Sequence, residues 1–439
     1  MGKGKLFALL LAAVLLLTGC NVSTVEDLYC LPKRSEAYNN LQSLIDQAMS
    51  GLEFSAPISG EHQQTVQLAD LDGDGNDEYL LFAKGNSEKP LQIFIFANEA
   101  DEYYLLDSIE SSGTSFQQVE YVHMDGKGGV EIVVGRQLSD QVVRSVSVYT
   151  MVNGQIEEIM KTSYSKFVCA DMDKSGYQEL LILRPGENDA DSGVAELYSM
   201  SSGTLERSAQ VNMSEPADHI RRIMIGKLND GIPAVYVASD AGSDAIITDV
   251  YAVVDHQFVN VTFSNESGTS VQTLRNYYVY ADDIDSDGIL ELPDLITMRM
   301  PEGDGESQSQ HLIRWYAMNS NGSEANRKYT YHNYAGSWYV ELDGSIAPRI
   351  AAVQRGSSYE FYLWDETFET SQKLMTIHAL TGSKREEQAV LNNRFVLLRT
   401  DSVVYAAELE VVSGAYGMSR EGLINSFHLI VQDWNTGET

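Results

Sequence analysis

Asp70-Leu71-Asp72-Gly73-Asp74-Gly75-Asn76-Asp77-Glu78 is the stretch whose reading decides the fold. Carboxylates at loop positions 1, 3, 5 and 9 can converge on one point only if the backbone curls tightly between them. Gly73 and Gly75 permit that curl, because glycine accepts backbone angles that other residues resist. Hard oxygen donors at this density suit Ca²⁺, which takes six to eight oxygen ligands. The pattern returns as Asp171-Met172-Asp173-Lys174-Ser175-Gly176-Tyr177-Gln178-Glu179 and as Asp283-Ile284-Asp285-Ser286-Asp287-Gly288-Ile289-Leu290-Glu291. Two degenerate copies lie between them. His123-Met124-Asp125-Gly126-Lys127-Gly128-Gly129-Val130-Glu131 keeps positions 3 and 9, and Lys227-Leu228-Asn229-Asp230-Gly231 keeps little beyond the turn.

First positions at 70, 123, 171, 227 and 283 give steps of 53, 48, 56 and 56 residues. A period near fifty predicts a stacked or circular repeat architecture. Short β-type runs precede the intact loops (65–68, 166–169 and 277–280). Apolar runs such as Tyr79-Leu80-Leu81-Phe82 and Leu180-Leu181-Ile182-Leu183 follow them. Each period holds four strand-like runs between polar turns, which predicts an all-β chain with one propeller blade per period. An EF-hand would need flanking helices and a bidentate Glu at position 12. That position is Leu81, Ile182 and Asp294 in the three copies; Asp294 alone keeps a dockerin-like reading open, against Pro293 and β-rich flanks.

The loops between strands resemble the FG-GAP/VCBS-type repeat of integrin-like β-propellers. The chain as a whole is similar to lipid-anchored VCBS-repeat proteins of Gram-positive, Clostridia-like bacteria. The loops carry this resemblance over residues 65–300, and beyond them it is architectural. It implies structural Ca²⁺ within the blades, with side chains from positions 1, 3, 5 and 9 and a backbone carbonyl from position 7. The implied ligands are Asp70, Asp72, Asp74, Asn76 and Glu78; Asp171, Asp173, Ser175, Tyr177 and Glu179; and Asp283, Asp285, Asp287, Ile289 and Glu291. Lys127 and Lys227 stand at ligand positions, so copies two and four are expected to bind no ion. Lys127 either replaces the metal with a fixed cation near Asp125 and Glu131 or points to solvent.

At the N-terminus, Lys3 and Lys5 precede an apolar run over residues 6–17, then Leu17-Thr18-Gly19-Cys20. The run is shorter than the ~20 residues a spanning helix takes and has the form of a secretory signal. The residues before Cys20 resemble a lipobox, which makes residues 1–19 a signal peptide and Cys20 the lipidated first residue. The expected location is extracytoplasmic, on the outer face of the cell membrane, held by the anchor alone. The whole chain carries a formal charge of −33; without Lys3 and Lys5, 28 cations face 63 acids, a net −35. That excludes nucleic acid, whose phosphates need a basic footprint. Cys30 and Cys169 remain, and their spacing leaves both a bridge and two free thiols open.

Residues 20–36 read as a tether. Residues 37–64 are a helix and lead-in, the helix falling over 36–49 with Gly51 as its stop. Five blades are expected over 65–336, with residues 303–309 an excursion loop. Residues 337–439 are expected to give non-metal blades and a terminal helix over 419–431, with Ser419 as a weak N-cap. Their first four strands, 338–342, 349–353, 360–364 and 374–380, are read as a sixth unit. The length fits about seven four-stranded blades, with six blades and a terminal α/β cap as the alternative.

No nucleophile elbow, zinc-protease helix, phosphate loop or dinucleotide fingerprint occurs, and no two of the eight histidines stand at zinc spacing. Acid pairs for sugar cleavage come together only in space. The aromatic patches Tyr277-Tyr278, Trp315-Tyr316 and Tyr329-Thr330-Tyr331-His332-Asn333-Tyr334 suit either a ligand face or packing between blades. The functional expectation is a monomeric, calcium-stabilised protein- or glycan-binding module. The alternative is an extracytoplasmic polysaccharide-cleaving enzyme with its site in a central channel.

Overall fold

A computed structural model describes residues 36–430 apart from residues 101, 140–142, 187–191, 243, 277–278 and 300–310. Cys20, Cys30, Tyr277, Tyr278 and the 303–309 excursion therefore lie outside the described residues. Cys169 carries a free thiol.

The described chain is all-β, in six antiparallel sheets of four or five strands. Four of them are built on successive hairpins. The first runs through Val66–Ala69, Glu78–Lys84, Leu91–Glu99 and Glu102–Ser111, and the second through Ser115–Val122, Glu131–Gln137, Arg144–Val152 and Gln155–Tyr164. The third runs through Lys166–Ala170, Glu179–Arg184, Val194–Ser201 and Thr204–Asn212, and the fourth through Ile220–Lys227, Pro233–Asp240, Ile246–Val254 and Gln257–Asn260. Glu53–Phe54 shares the edge of the first sheet with Val66–Ala69, both pairing with Glu78–Lys84.

Continuous apolar runs arise because each inner sheet buries both faces, so neighbouring residues face different partners. Leu180 and Ile182 pack with Val146 and Val148 of the second sheet. Leu181 and Leu183 pack with Val235 and Val237 of the fourth. The same alternation joins the first sheet to the second, the fourth to the fifth and the fifth to the sixth. Each such side chain, fully buried, contributes about 1.5–3 kcal/mol. The far face of the first sheet is covered instead by the helix Glu36–Ala48, whose Leu41 packs with Leu81 and Phe96. Asn40 Oδ1 accepts the Tyr103 N–H at 2.7 Å and fixes the helix in place. Gly51, at φ 80°, turns the chain just past the helix, as expected.

Beyond residue 290 the strands pair differently from expectation. Trp338–Leu342 does not open a sixth unit. It closes the fifth sheet after Glu291–Thr297, His311–Met318 and Glu324–Asn333, because the short turn Tyr334–Gly336 folds it directly back onto its predecessor. The sixth sheet comprises Ile350–Arg355, Ser358–Asp365, Thr367–Leu380, Val404–Leu409 and, at its edge, Phe395–Arg399. Six sheets, the alternative count, therefore form among the described residues, since Phe395–Arg399 and Val404–Leu409 join the sixth sheet. The expected helix over 419–431 is confined to Arg420–Asn425, where Ser419 Oγ accepts the Gly422 N–H. Phe427–Leu429 is a strand on the fifth sheet, pairing with residues 338–340. Val279 and Tyr280, of the run expected before the third intact loop, are not in a strand.

Among the described aromatic residues, Trp315, Tyr316 and Tyr331 serve packing. Trp315 and Tyr316 are buried, and Tyr331 meets Phe361 edge-on at 5.0 Å across the fifth and sixth sheets. No helix among the described residues is long and apolar enough to cross a membrane.

Candidate metal centres

In each intact loop the structure brings positions 1, 3 and 9 together. Oxygen atoms of Asp70, Asp72 and Glu78 lie within 4.8 Å of one another, as do those of Asp171, Asp173 and Glu179 and those of Asp283, Asp285 and Glu291. Two anchors set this geometry. The first is the apolar residue at position 2 (Leu71, Met172 and Ile284), which is buried in the core and pins the loop to its sheets. The second is the position 9 glutamate. Its Oε2 accepts the position 2 N–H at 2.8 Å in Glu78–Leu71 and Glu179–Met172, and at 3.1 Å in Glu291–Ile284. Between the anchors, position 1 accepts the N–H of the glycine at position 6: Gly75 to Asp70, Gly176 to Asp171 and Gly288 to Asp283. Those glycines sit at φ 81–88°, where any other residue is strained.

Position 5 is used differently. Asp74, Ser175 and Asp287 accept the backbone N–H of Asn76, Tyr177 and Ile289 at position 7, at 2.7–3.2 Å. The three groups thus comprise positions 1, 3 and 9, while positions 5 and 7 shape the rim beside them.

These carboxylates are poorly matched to an environment without a cation. Burial, reinforced by the flanking aspartates, pushes Glu78, Glu179 and Glu291 up to about 7. Asp171 Oδ1 and Glu291 Oε1 are buried and accept no hydrogen bond. Arg327 stands 3.7 Å from Asp287 and 3.8 Å from Glu291, beyond hydrogen-bond reach. Orphaned buried oxygens in an all-oxygen set are what a Ca²⁺ ligand shell requires, so the residues present fit the ion.

The second copy is an internal control. Glu131 makes the same anchor, accepting the Met124 N–H at 2.9 Å. Here, however, Oε1 accepts the Thr150 hydroxyl at 3.0 Å, and Lys127 Nζ lies 2.8 Å from Asp125 Oδ2. Ala317 stands opposite Glu291, so no hydroxyl is available there. The loop that lost its metal pattern has gained an internal partner for each carboxylate. Asp125 and the charge of Glu131 both hold the Lys127 ammonium above its usual range. Because Lys127 is 62% exposed, Lys127→Ala should cost at most about 1 kcal/mol, as exposed pairs do. Lys127→Asp should be less stable than Lys127→Ala in chelator and should recover with calcium. Calorimetry giving the two variants the same calcium response would refute this metal-replacement role.

Loops of neighbouring sheets are also tied together. The position 8 N–H of one loop donates to the position 1 carbonyl of the loop before it: Val130 to Asp70, Gln178 to His123 and Leu290 to Lys227, at 2.7–3.3 Å. Gly129 is required by this contact, since a Cβ there would overlap the Leu71 carbonyl oxygen. Loop-to-loop bonds and Thr150 carry no signal in the loop motif itself, whereas position 2 is apolar in every copy (Leu71, Met124, Met172, Leu228 and Ile284).

No family model matches the chain, and no curated protein does. Among solved structures, a crystal structure of the exotype rhamnogalacturonan lyase YesX is similar at a TM-score of 0.28 and 14% identity. The match covers 72% of this chain and 62% of that one, and at such a score it carries no argument.

Proposed function

We propose that the chain is a calcium-stabilised, propeller-type repeat protein of the FG-GAP/VCBS kind, tethered through Cys20 to the outer face of a cell membrane, and that it binds a protein or glycan. The observation that carries the metal reading is the contrast between copies. In two of the three intact loops a buried carboxylate oxygen, Asp171 Oδ1 or Glu291 Oε1, accepts no hydrogen bond, whereas in the loop bearing Lys127 both Glu131 and Asp125 have partners. Six sheets packed in chain order, with loops bonded from one to the next, support a propeller-type arrangement. The acidic balance of the chain keeps it off anionic lipid except through an anchor.

Membrane fractionation tests the placement. Cys20→Ser should lose lipid labelling and either leave the membrane or persist as uncleaved precursor; normal retention of the mutant would remove the anchored reading. Binding of a polymer without release of shorter fragments would separate a binding module from a cleaving enzyme.

A further inference from the structure

Arg327 sets the third intact loop apart from the other two. It is the extra residue of a β-bulge: Lys328 pairs with Trp315 and Asn326 with Tyr316, which leaves Arg327 out of the ladder. A bulge re-aims one side chain. The first three sheets carry a bulge at the matching place, between the second and third strands after the loop, and there the extra residues are Leu106, Ile159 and Ser208. Leu106 and Ile159 pack against the cores between sheets, and Ser208 Oγ donates to the Leu197 carbonyl. Among these four bulges only that of the fifth sheet aims a cation.

The guanidinium is held between two loops. Its Nη2 donates to Asn229 Oδ1 at 2.6 Å. Asn229 is fixed in turn by its N–H on the Met318 carbonyl at 2.8 Å and its Nδ2 on Asn319 Oδ1 at 2.6 Å. It stands at position 3 of the degenerate fourth copy, where the intact loops have Asp. An amide oxygen accepts the hydrogen bond without neutralising the charge. That charge faces the 283–291 loop, with Nη2 3.7 Å from Asp287 Oδ2 and Nε 3.8 Å from Glu291 Oε1. Ala317 and Ala325, in register with Glu291, are small and leave the approach open. Glu291 Oε1 and Arg327 Nε are both buried without a hydrogen-bond partner. They face each other at a separation short enough for attraction and too long for a bond. The neighbouring charges that bear most on Glu78 and Glu179 are their own aspartates, whereas Arg327 also bears on Glu291 and opposes its upward shift.

We propose that Arg327 is a built-in cation that competes with Ca²⁺ for the 283–291 loop and lowers the affinity of that site alone. Without the ion, the guanidinium offsets part of the repulsion between the carboxylates. With the ion in place, the same fixed charge opposes a second cation in the cluster. Water screens it incompletely, because Arg327 is only 26% exposed. The inference rests on the calcium reading of the loops and grades their sites.

Isothermal titration of the calcium-free protein with calcium chloride tests it. Asp285→Ala identifies the 283–291 site as the one lost from the parent titration. Arg327→Leu, which gives this bulge the side chain that Leu106 gives the first, should tighten that site at least about tenfold, the equivalent of 1.4 kcal/mol. In the Asp285→Ala background it should leave the remaining sites unchanged. Arg327→Leu should also melt below the parent in chelator and no lower than the parent in saturating calcium. Arg327→Gln keeps a donor for Asn229 and should give the same two results if the leucine variant misfolds. An unchanged or weakened site, with stability lowered equally with and without calcium, would make Arg327 a structural tie to Asn229. That result would overturn the competition and leave the calcium reading intact. No calcium uptake at any loop would overturn both.

Discussion

Chelation of calcium should lower the melting temperature of this protein more than any single surface substitution. An ion that binds only the folded state stabilises it by mass action, by about 2.7 kcal/mol per site at a hundredfold excess over its dissociation constant. With three carboxylate loops on separate sheets, the effects should approach additivity, as for distant sites. Asp72→Ala and Asp285→Ala should each remove part of the calcium response, since each takes one oxygen from a cluster whose members lie within 4.8 Å. Asp125→Ala should leave that response unchanged, as expected of a loop whose Asp125 is paired with Lys127 at 2.8 Å. The last comparison separates metal binding from the general screening of an acidic surface, which would act on all loops alike. A melting curve unmoved by chelator would make the loops polar turns held by hydrogen bonds alone.

The loops were legible in the sequence because everything that defines them is local. Positions 1, 3 and 9 fall within nine residues, and the glycine at position 6 states its backbone angle in its identity. Thr150 was not legible: it comes from the next strand and matters only because that strand places it across from Glu131. Strand existence was likewise readable from the short apolar runs, but partner choice was not. Trp338–Leu342 looks the same on either sheet, and the short turn before it sends it to the fifth. Phe427 falls within the helix expected over 419–431. The edge of the fifth sheet offers it backbone hydrogen bonds and a place against Trp338 at 5.3 Å, and tertiary pairing overrides that expectation.

Asp249→Ala should destabilise the protein by about 1–3 kcal/mol, the range for a buried donor left without its acceptor. No acidic spacing marks this residue, because its partners come from positions 214, 251, 260 and 270. Removing the carboxylate withdraws the acceptor from the Ser214 and Ser270 hydroxyls, the Ser214 N–H, the Asn260 amide and the Tyr251 hydroxyl at once. Hydroxyls can turn to other acceptors, but the Ser214 N–H cannot. Asp249→Asn tests the same point with little change of volume. Both carboxylate oxygens accept, so an amide must place its NH₂ against a donor on one side, and a smaller loss in the same direction is expected. Urea unfolding reads both, as a lower midpoint with the slope unchanged. Because the carboxylate ties the strand Ile246–Val254 to the segments flanking it, both variants should also speed amide exchange at Ser214 and Ser270 before global unfolding. Parent-like stability in Asp249→Ala would mean that water satisfies these donors as well as the carboxylate does, and that the third and fourth sheets hold together by their apolar contacts alone.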